Sequence, residues 1–141
     1  MIRIAWIIAS LVLSTACGSL QSRSGSAPPA ATATTAAHTT RLALSTYCRS
    51  APGVTGCADG ADPFTVPGLP VIRARRGATI VIRLGFDPTK RVQVSIGRHR
   101  HLRLDPAREL RIRIDRPGVL QLVAEHGPDD VSYVARIRLA A

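Results

Sequence analysis

Aromatic side chains are scarce in this sequence, with one Trp, two Tyr and two Phe among 141 residues. Proteins that hold single-stranded nucleic acid set exposed aromatic platforms among basic groups. Tyr47, Phe64, Phe86 and Tyr133 form no such alternation with arginine, so nucleic acid is not an expected partner. Lysine is nearly missing too, Lys90 being its one occurrence among 19 basic residues. No carboxylate precedes Asp59. No apolar run reaches the roughly 20 residues that a helix needs to cross a bilayer. Catalytic signatures are also lacking. There is no Gly-x-Ser-x-Gly elbow, no glycine loop for phosphates and no His-Glu-x-x-His helix, and Ser95 and Ser132 have no evident His and Asp partners. The expectation is a non-enzymatic protein, with an envelope hydrolase of unrecognised site as a minor alternative. No cofactor is implied.

What the sequence has is arginine. The net charge is +10, which favours anionic partners such as phospholipid headgroups, acidic wall polymer or, but for the missing aromatic platforms, nucleic acid; an envelope protein is a further candidate partner. Arginine in such excess over lysine is equally a product of coding bias. The chain is long enough for one modest core and no second domain.

The first residues have the three parts of an export signal: Arg3, the apolar segment "IAWIIASLVLSTA", and small residues at its end. Those small residues stop at Cys17. "LSTAC" resembles the lipobox of bacterial lipoproteins, with Ala16 before the cleavage point and Thr15 next to it. Ser14 departs from the leucine usual at its place, and Leu13 lies one position further out. The resemblance covers residues 1–17 and implies a signal peptide over 1–16, a lipidated Cys17 at the mature N-terminus, and an anchor in the cell membrane facing outside the cytoplasm. Ordinary signal cleavage with release, or an uncleaved apolar anchor, are the competing readings.

Cysteine number adds to this. Cys48 and Cys57 are close enough to pair in an oxidising compartment, which leaves Cys17 as the odd one. A thiolate metal site is the rival for the pair, but no histidine lies nearby. Residues 17–40, including "GSLQSRSGSAPPAATATTAAHTT", are Ser, Ala, Thr, Gly and Pro with Leu20 as the one large apolar side chain. That composition predicts a flexible tether leading to a domain over 41–141.

In that domain apolar residues recur every second position. Ile80, Ile82 and Leu84 share one face; so do Val92, Val94 and Ile96; so do Leu110, Ile112 and Ile114; so do Val131, Tyr133, Ala135, Ile137 and Leu139. "RLALSTY", "PVIRAR", "HLRL" and "VLQLVAE" bring the expected count to about eight, with turn signals between. No stretch holds a helical period for three turns. The expectation is an all-β fold, an antiparallel β-sandwich of about seven or eight short strands.

Asp129, Val131, Tyr133 and Ala135 occupy the positions of the Asp-x-Ala-x-Tyr-x-Cys strand of immunoglobulin-like domains. This resemblance implies a tyrosine corner, in which the Tyr133 hydroxyl bonds back to the corner just before it. The cysteine is absent and too little chain follows for that family's last strand. Cupredoxins are similar in size and architecture, but their copper ligands are not matched, since the only Met is the initiator and both domain cysteines lie far upstream.

Two clusters are candidate sites. In "GRHRHLRL", His99 and His101 at i, i+2 can hold Cu(II) or Zn(II), with His126 as a third ligand, although Arg98, Arg100 and Arg103 oppose a dication there. Arg73 with Arg75, Arg111 with Arg113, and Arg136 with Arg138 are also i, i+2 pairs, each on one face of its strand. If two of these strands share a sheet, the guanidinium groups form a basic stripe for anionic lipid or wall polymer. The plain alternative is a solvated face with arginine stems lying over the sheet.

Overall fold

The computed structural model describes residues 29–58, 64–65 and 67–141. The signal and lipobox residues, Cys17 included, lie outside them. Among the described residues no helix is long and apolar enough to cross a membrane.

Eleven strands form two sheets. They are β1 (Ala31–Thr34), β2 (Thr39–Arg41), β3 (Ala43–Ala51), β4 (Val54–Ala58), β5 (Val71–Ala74), β6 (Thr79–Leu84), β7 (Val92–Ile96), β8 (Arg100–Leu104), β9 (Glu109–Arg113), β10 (Gly118–His126) and β11 (Asp129–Leu139). The smaller sheet runs β2-β1-β6-β9 and the larger runs β4-β3-β11-β10-β7-β8. β5 joins the larger sheet beside β11, sharing one of its edges with β3. The all-β sandwich expected from the alternation is there, and all eight segments read as strands are strands.

The core is the alternation made solid. Ile80, Ile82, Leu110 and Ile112 of the smaller sheet meet Val92, Val94, Ile96, Leu120, Leu122, Tyr133 and Ile137 of the larger, all buried. Removing such side chains from water at about 25 cal/mol per Å² is the main stabilising contribution. The sides of the sandwich are closed by polar bridges. The Arg100 guanidinium on β8 donates to the Arg113 carbonyl (2.9 Å) and to Asp115 (3.1 Å) beyond β9. On the other side Thr40 of β2 donates to the Val71 carbonyl of β5 (3.3 Å).

Four expectations are corrected. Sheet structure begins at Ala31, ahead of Arg41, because Ala31 and Ala33 are small enough to bury against β6. There β1 runs so close to the end of β6 that the Gly85 amide donates to the Ala30 carbonyl at 2.8 Å, leaving no room for a Cβ at Gly85. The ladders are antiparallel with one exception: β5 runs parallel to β11. The irregular stretch around Cys57 contains a further strand, β4, in a hairpin with β3.

The fourth concerns Tyr133. Its hydroxyl donates to the carbonyl of Pro29, 104 positions upstream, and not to a corner just before its own strand. The tyrosine corner is therefore absent, and Tyr133 instead fastens the first described residues to the core. A second, small apolar cluster lies on the outer face of the larger sheet. Leu69 covers Val119 and Val134 there, with Phe64 and Ala43 against them.

Candidate functional site

The strands share one long direction, so their connections gather at two ends. At one end lie the β5–β6 turn, the β7–β8 turn, the β9–β10 connection and the close of β11. At the other lie Pro29, the β3–β4 hairpin, the β10–β11 turn, and the connections β6–β7 and β8–β9. This division sorts the charges.

The first end is an arginine end. Arg75 and Arg76 flank the β5–β6 turn, Arg98 and Arg100 the β7–β8 turn, and Arg113 and Arg116 the β9–β10 connection. Arg138 stands at the close of β11, directly opposite Arg73 in the parallel register with β5. Asp115 is the one acidic side chain at this end among the described residues, and Arg100 (3.1 Å) and Arg113 (3.6 Å) already hold it. Arg98 lies over the Phe64 ring, 5.3 Å from its centroid. Arg73, Arg75, Arg76, Arg116 and Arg138 have no carboxylate partner among the described residues. Like charges held this close repel one another, and an anion arriving from outside relieves that repulsion.

The opposite end is balanced. Asp87 pairs with Arg108 (2.8 Å), Glu125 with Lys90 (2.7 Å), Asp105 with Arg91 (3.7 Å), and Glu109 with Arg83 (3.2 Å) and Arg111 (2.9 Å). The hydrogen bond from Arg83, with Arg111 beside it, holds the Glu109 carboxyl below its usual range. Asp129 accepts from the Tyr47 hydroxyl (3.1 Å) and the Ser50 amide (2.9 Å). Burial first, and then this bond to Asp129, pushes the Tyr47 hydroxyl up. A cleft of about 480 Å³ opens beside these groups, with Arg49, Phe86 and His126 also in its wall.

The six arginines read as strand pairs therefore divide between the two sheets. Arg73, Arg136 and Arg138 lie on the β5–β11 ladder of the larger sheet, and Arg75 follows β5 directly. Arg111 and Arg113 sit on β9, an edge strand of the smaller sheet, each near a carboxylate. Charged side chains on an edge strand block pairing with a second molecule, which gives Arg111 and Arg113 a purpose without a ligand. No single stripe joins all six. What gathers Arg75, Arg76, Arg116 and Arg138 is the end of the sandwich, where turns remote in sequence come together.

The three histidines are not brought together. His101 on β8 faces Ser95 on β7, which faces Gln121 on β10. His126 lies further along β10, past Gln121 by roughly 17 Å at strand rise, and packs on Phe86 with ring centroids 4.9 Å apart. His99 is in the β7–β8 turn, at the arginine end. Among the described residues no three His, Cys, Asp or Glu side chains group as metal ligands would. His101 and Arg103 instead rim a hollow of about 340 Å³ on the outer face of the larger sheet, over Gln93, Ser95 and Gln121.

Ser132 is engaged structurally. Its hydroxyl accepts from the Thr46 amide (2.9 Å) where the β3–β11 register shifts, replacing a lost ladder bond. Cys48 and Cys57 face each other across the β3–β4 hairpin and form a disulfide. Closing that loop removes unfolded-state entropy worth about 2.7 kcal/mol on the chain-entropy account.

Sequence reasoning found arginine pairs but missed the arginine end, for which the available signal was arginine next to turn residues: "ARRGA", "GRHR" and "DRPG". Comparisons with protein-family models, curated proteins and solved structures return no match.

Proposed function

We propose that this chain is a lipid-anchored protein of the bacterial envelope, facing outside the cytoplasm, whose sandwich binds an anionic partner through its arginine end and catalyses no reaction. The segregation of charge carries the reading. Guanidinium groups without a carboxylate partner, from turns that join both sheets, crowd one end, while the other end pairs Asp87, Asp105, Glu109 and Glu125 with cations. A solvated face produced by coding bias would not be expected to sort its charges in this way.

The anchor rests on the lipobox-like "LSTAC" and on cysteine pairing. The Cys48–Cys57 disulfide fits an oxidising compartment and leaves Cys17 as the odd thiol, for which acylation is the chemistry that the preceding residues suit. Two or three fatty chains hold a protein on a bilayer where a single one is marginal.

Intact mass and detergent-phase partitioning of the native protein test the anchor, beside a Cys17→Ser variant. The native protein is expected to start at Cys17, to carry acyl mass and to enter the detergent phase, and the variant to lose all three properties. A native protein that starts elsewhere, or stays in the aqueous phase, refutes the anchor. Adhesion to phosphate-bearing beads tests the binding, and is expected to fall at least about tenfold as the Debye length shrinks from about 10 to about 3 Å with added salt.

A further inference from the structure

We infer that the arginine end takes an extended polyanion, a chain of repeated phosphate or carboxylate groups, that lies on the far side of the domain from the bilayer. The headgroups of the anchoring bilayer are not its ligand. This inference rests on the two readings above, the lipidated Cys17 and the anion-binding arginine end.

The first argument is where the chain joins the sandwich. Pro29 precedes β1, its carbonyl is bonded by Tyr133, and it lines the cleft at the balanced end. An anchor at Cys17 therefore pulls on the end opposite the arginines. β11 has 11 residues and runs about 36 Å from one end to the other. The chain between Cys17 and Pro29 spans at most about 40 Å however it is arranged. Laying the arginine end on the same bilayer would require that segment drawn nearly to its limit along the flank of the domain, at the cost of almost all its conformational entropy. An upright posture requires no such extension.

The second argument is the spread of the cations. The arginines without a carboxylate partner sit at separate places: Arg75 and Arg76 in the β5–β6 turn, Arg116 in the β9–β10 connection, and Arg73 and Arg138 on the β5–β11 ladder of the larger sheet, the two sheets standing about 10 Å apart. Arg100 and Arg113 already share one small anion, the Asp115 carboxylate, so it is the remaining groups that are left for an incoming ligand. A polymer running across the end meets them in turn, and each guanidinium fork suits a phosphate or carboxylate bidentately. Successive contacts along one chain act at high effective concentration, so affinity grows with polymer length.

The experiment uses the native lipidated protein in phosphatidylcholine vesicles, and in vesicles with about 30% phosphatidylglycerol to supply an anionic surface. The added probes are long-chain inorganic polyphosphate and pyrophosphate. Polyphosphate is expected to bind at least about tenfold more tightly than pyrophosphate, with the same affinity within about twofold on both vesicle types. Arg75→Gln/Arg76→Gln is expected to weaken it about fivefold or more. Arg41→Gln/Arg49→Gln removes the same charge at the balanced end and is expected to change it less than about twofold. Thermal unfolding of both variants verifies that they fold.

Polyphosphate binding that collapses on the anionic vesicles overturns the inference while leaving anion binding intact, because the arginine end then lies on lipid. Equal loss in the two double variants overturns it as well, since total charge and not position would govern binding. Equal affinity for the two probes excludes the extended ligand. Absence of polyphosphate binding on both vesicle types refutes this inference together with the anion-binding reading.

Discussion

Tyr133 shows what one residue can do in a core this small. Its ring is buried in the middle of the larger sheet, and its hydroxyl reaches the Pro29 carbonyl at the balanced end. Burial, helped by the neighbouring Tyr47, pushes its pKa up to about 12. In the unfolded chain the same hydroxyl ionises near pH 10. Between those values the native state keeps a proton that the unfolded state gives up, so stability is complete below about pH 10 and falls as pH rises toward 12. Denaturant titrations from pH 8 to pH 11.5 are expected to show this alkaline loss in the native protein and much less of it in Tyr133→Phe. At neutral pH the variant is expected to be less stable by about 1–2 kcal/mol, because the carbonyl loses its donor. The inward position of Tyr133 was legible in the alternation of its strand. Its partner was not, since nothing local in a sequence points across 104 positions. The same holds for Arg100, whose bridge to β9 is set by topology, whereas Cys48 and Cys57 were legible because the loop between them is short.

Among the elements, strands built from large β-branched and aliphatic residues could be read, and β1 could not. "ATAT" has the period of a strand, but alanine and threonine carry too little apolar surface to separate a buried strand from a tether. β1 is ordered by what surrounds it: β6 presents a continuous ladder, Gly85 permits close approach, and Tyr133 binds the chain just before it. Ala33 is 0% exposed. Ala33→Leu is therefore expected to cost about 1–3 kcal/mol by overpacking, read as a lowered urea midpoint, whereas a tether would tolerate the change. An unchanged midpoint would show that β1 is not part of the cooperative unit. The parallel placement of β5 was similarly hidden. "PVIRAR" reads as a strand from its alternation, but which neighbour it meets, and in which direction, is set by contacts with β11, more than 60 positions away in the chain.

For the molecule as a whole, the charge of +10 was legible and its polarity was not. Polarity arises because antiparallel strands bring every second connection to the same end. Crowded arginines have an effect that needs no ligand: their mutual repulsion opposes folding and is screened by salt. Raising sodium chloride from about 20 mM to about 500 mM is expected to increase the melting temperature by about 3–5 °C, equivalent to less than about 1 kcal/mol. Arg75→Gln/Arg76→Gln is expected to start higher at low salt and to rise less, in calorimetric scans. A salt response unchanged by the variant would mean that the repulsion lies elsewhere. β11 has a consequence of a different kind. It holds β10 along one edge and β3 and β5 along the other, and it follows all three in the chain. During vectorial synthesis β3 and β5 therefore wait without this neighbour until β11 emerges. The larger sheet cannot close before that point, and the polypeptide stays threadable until then.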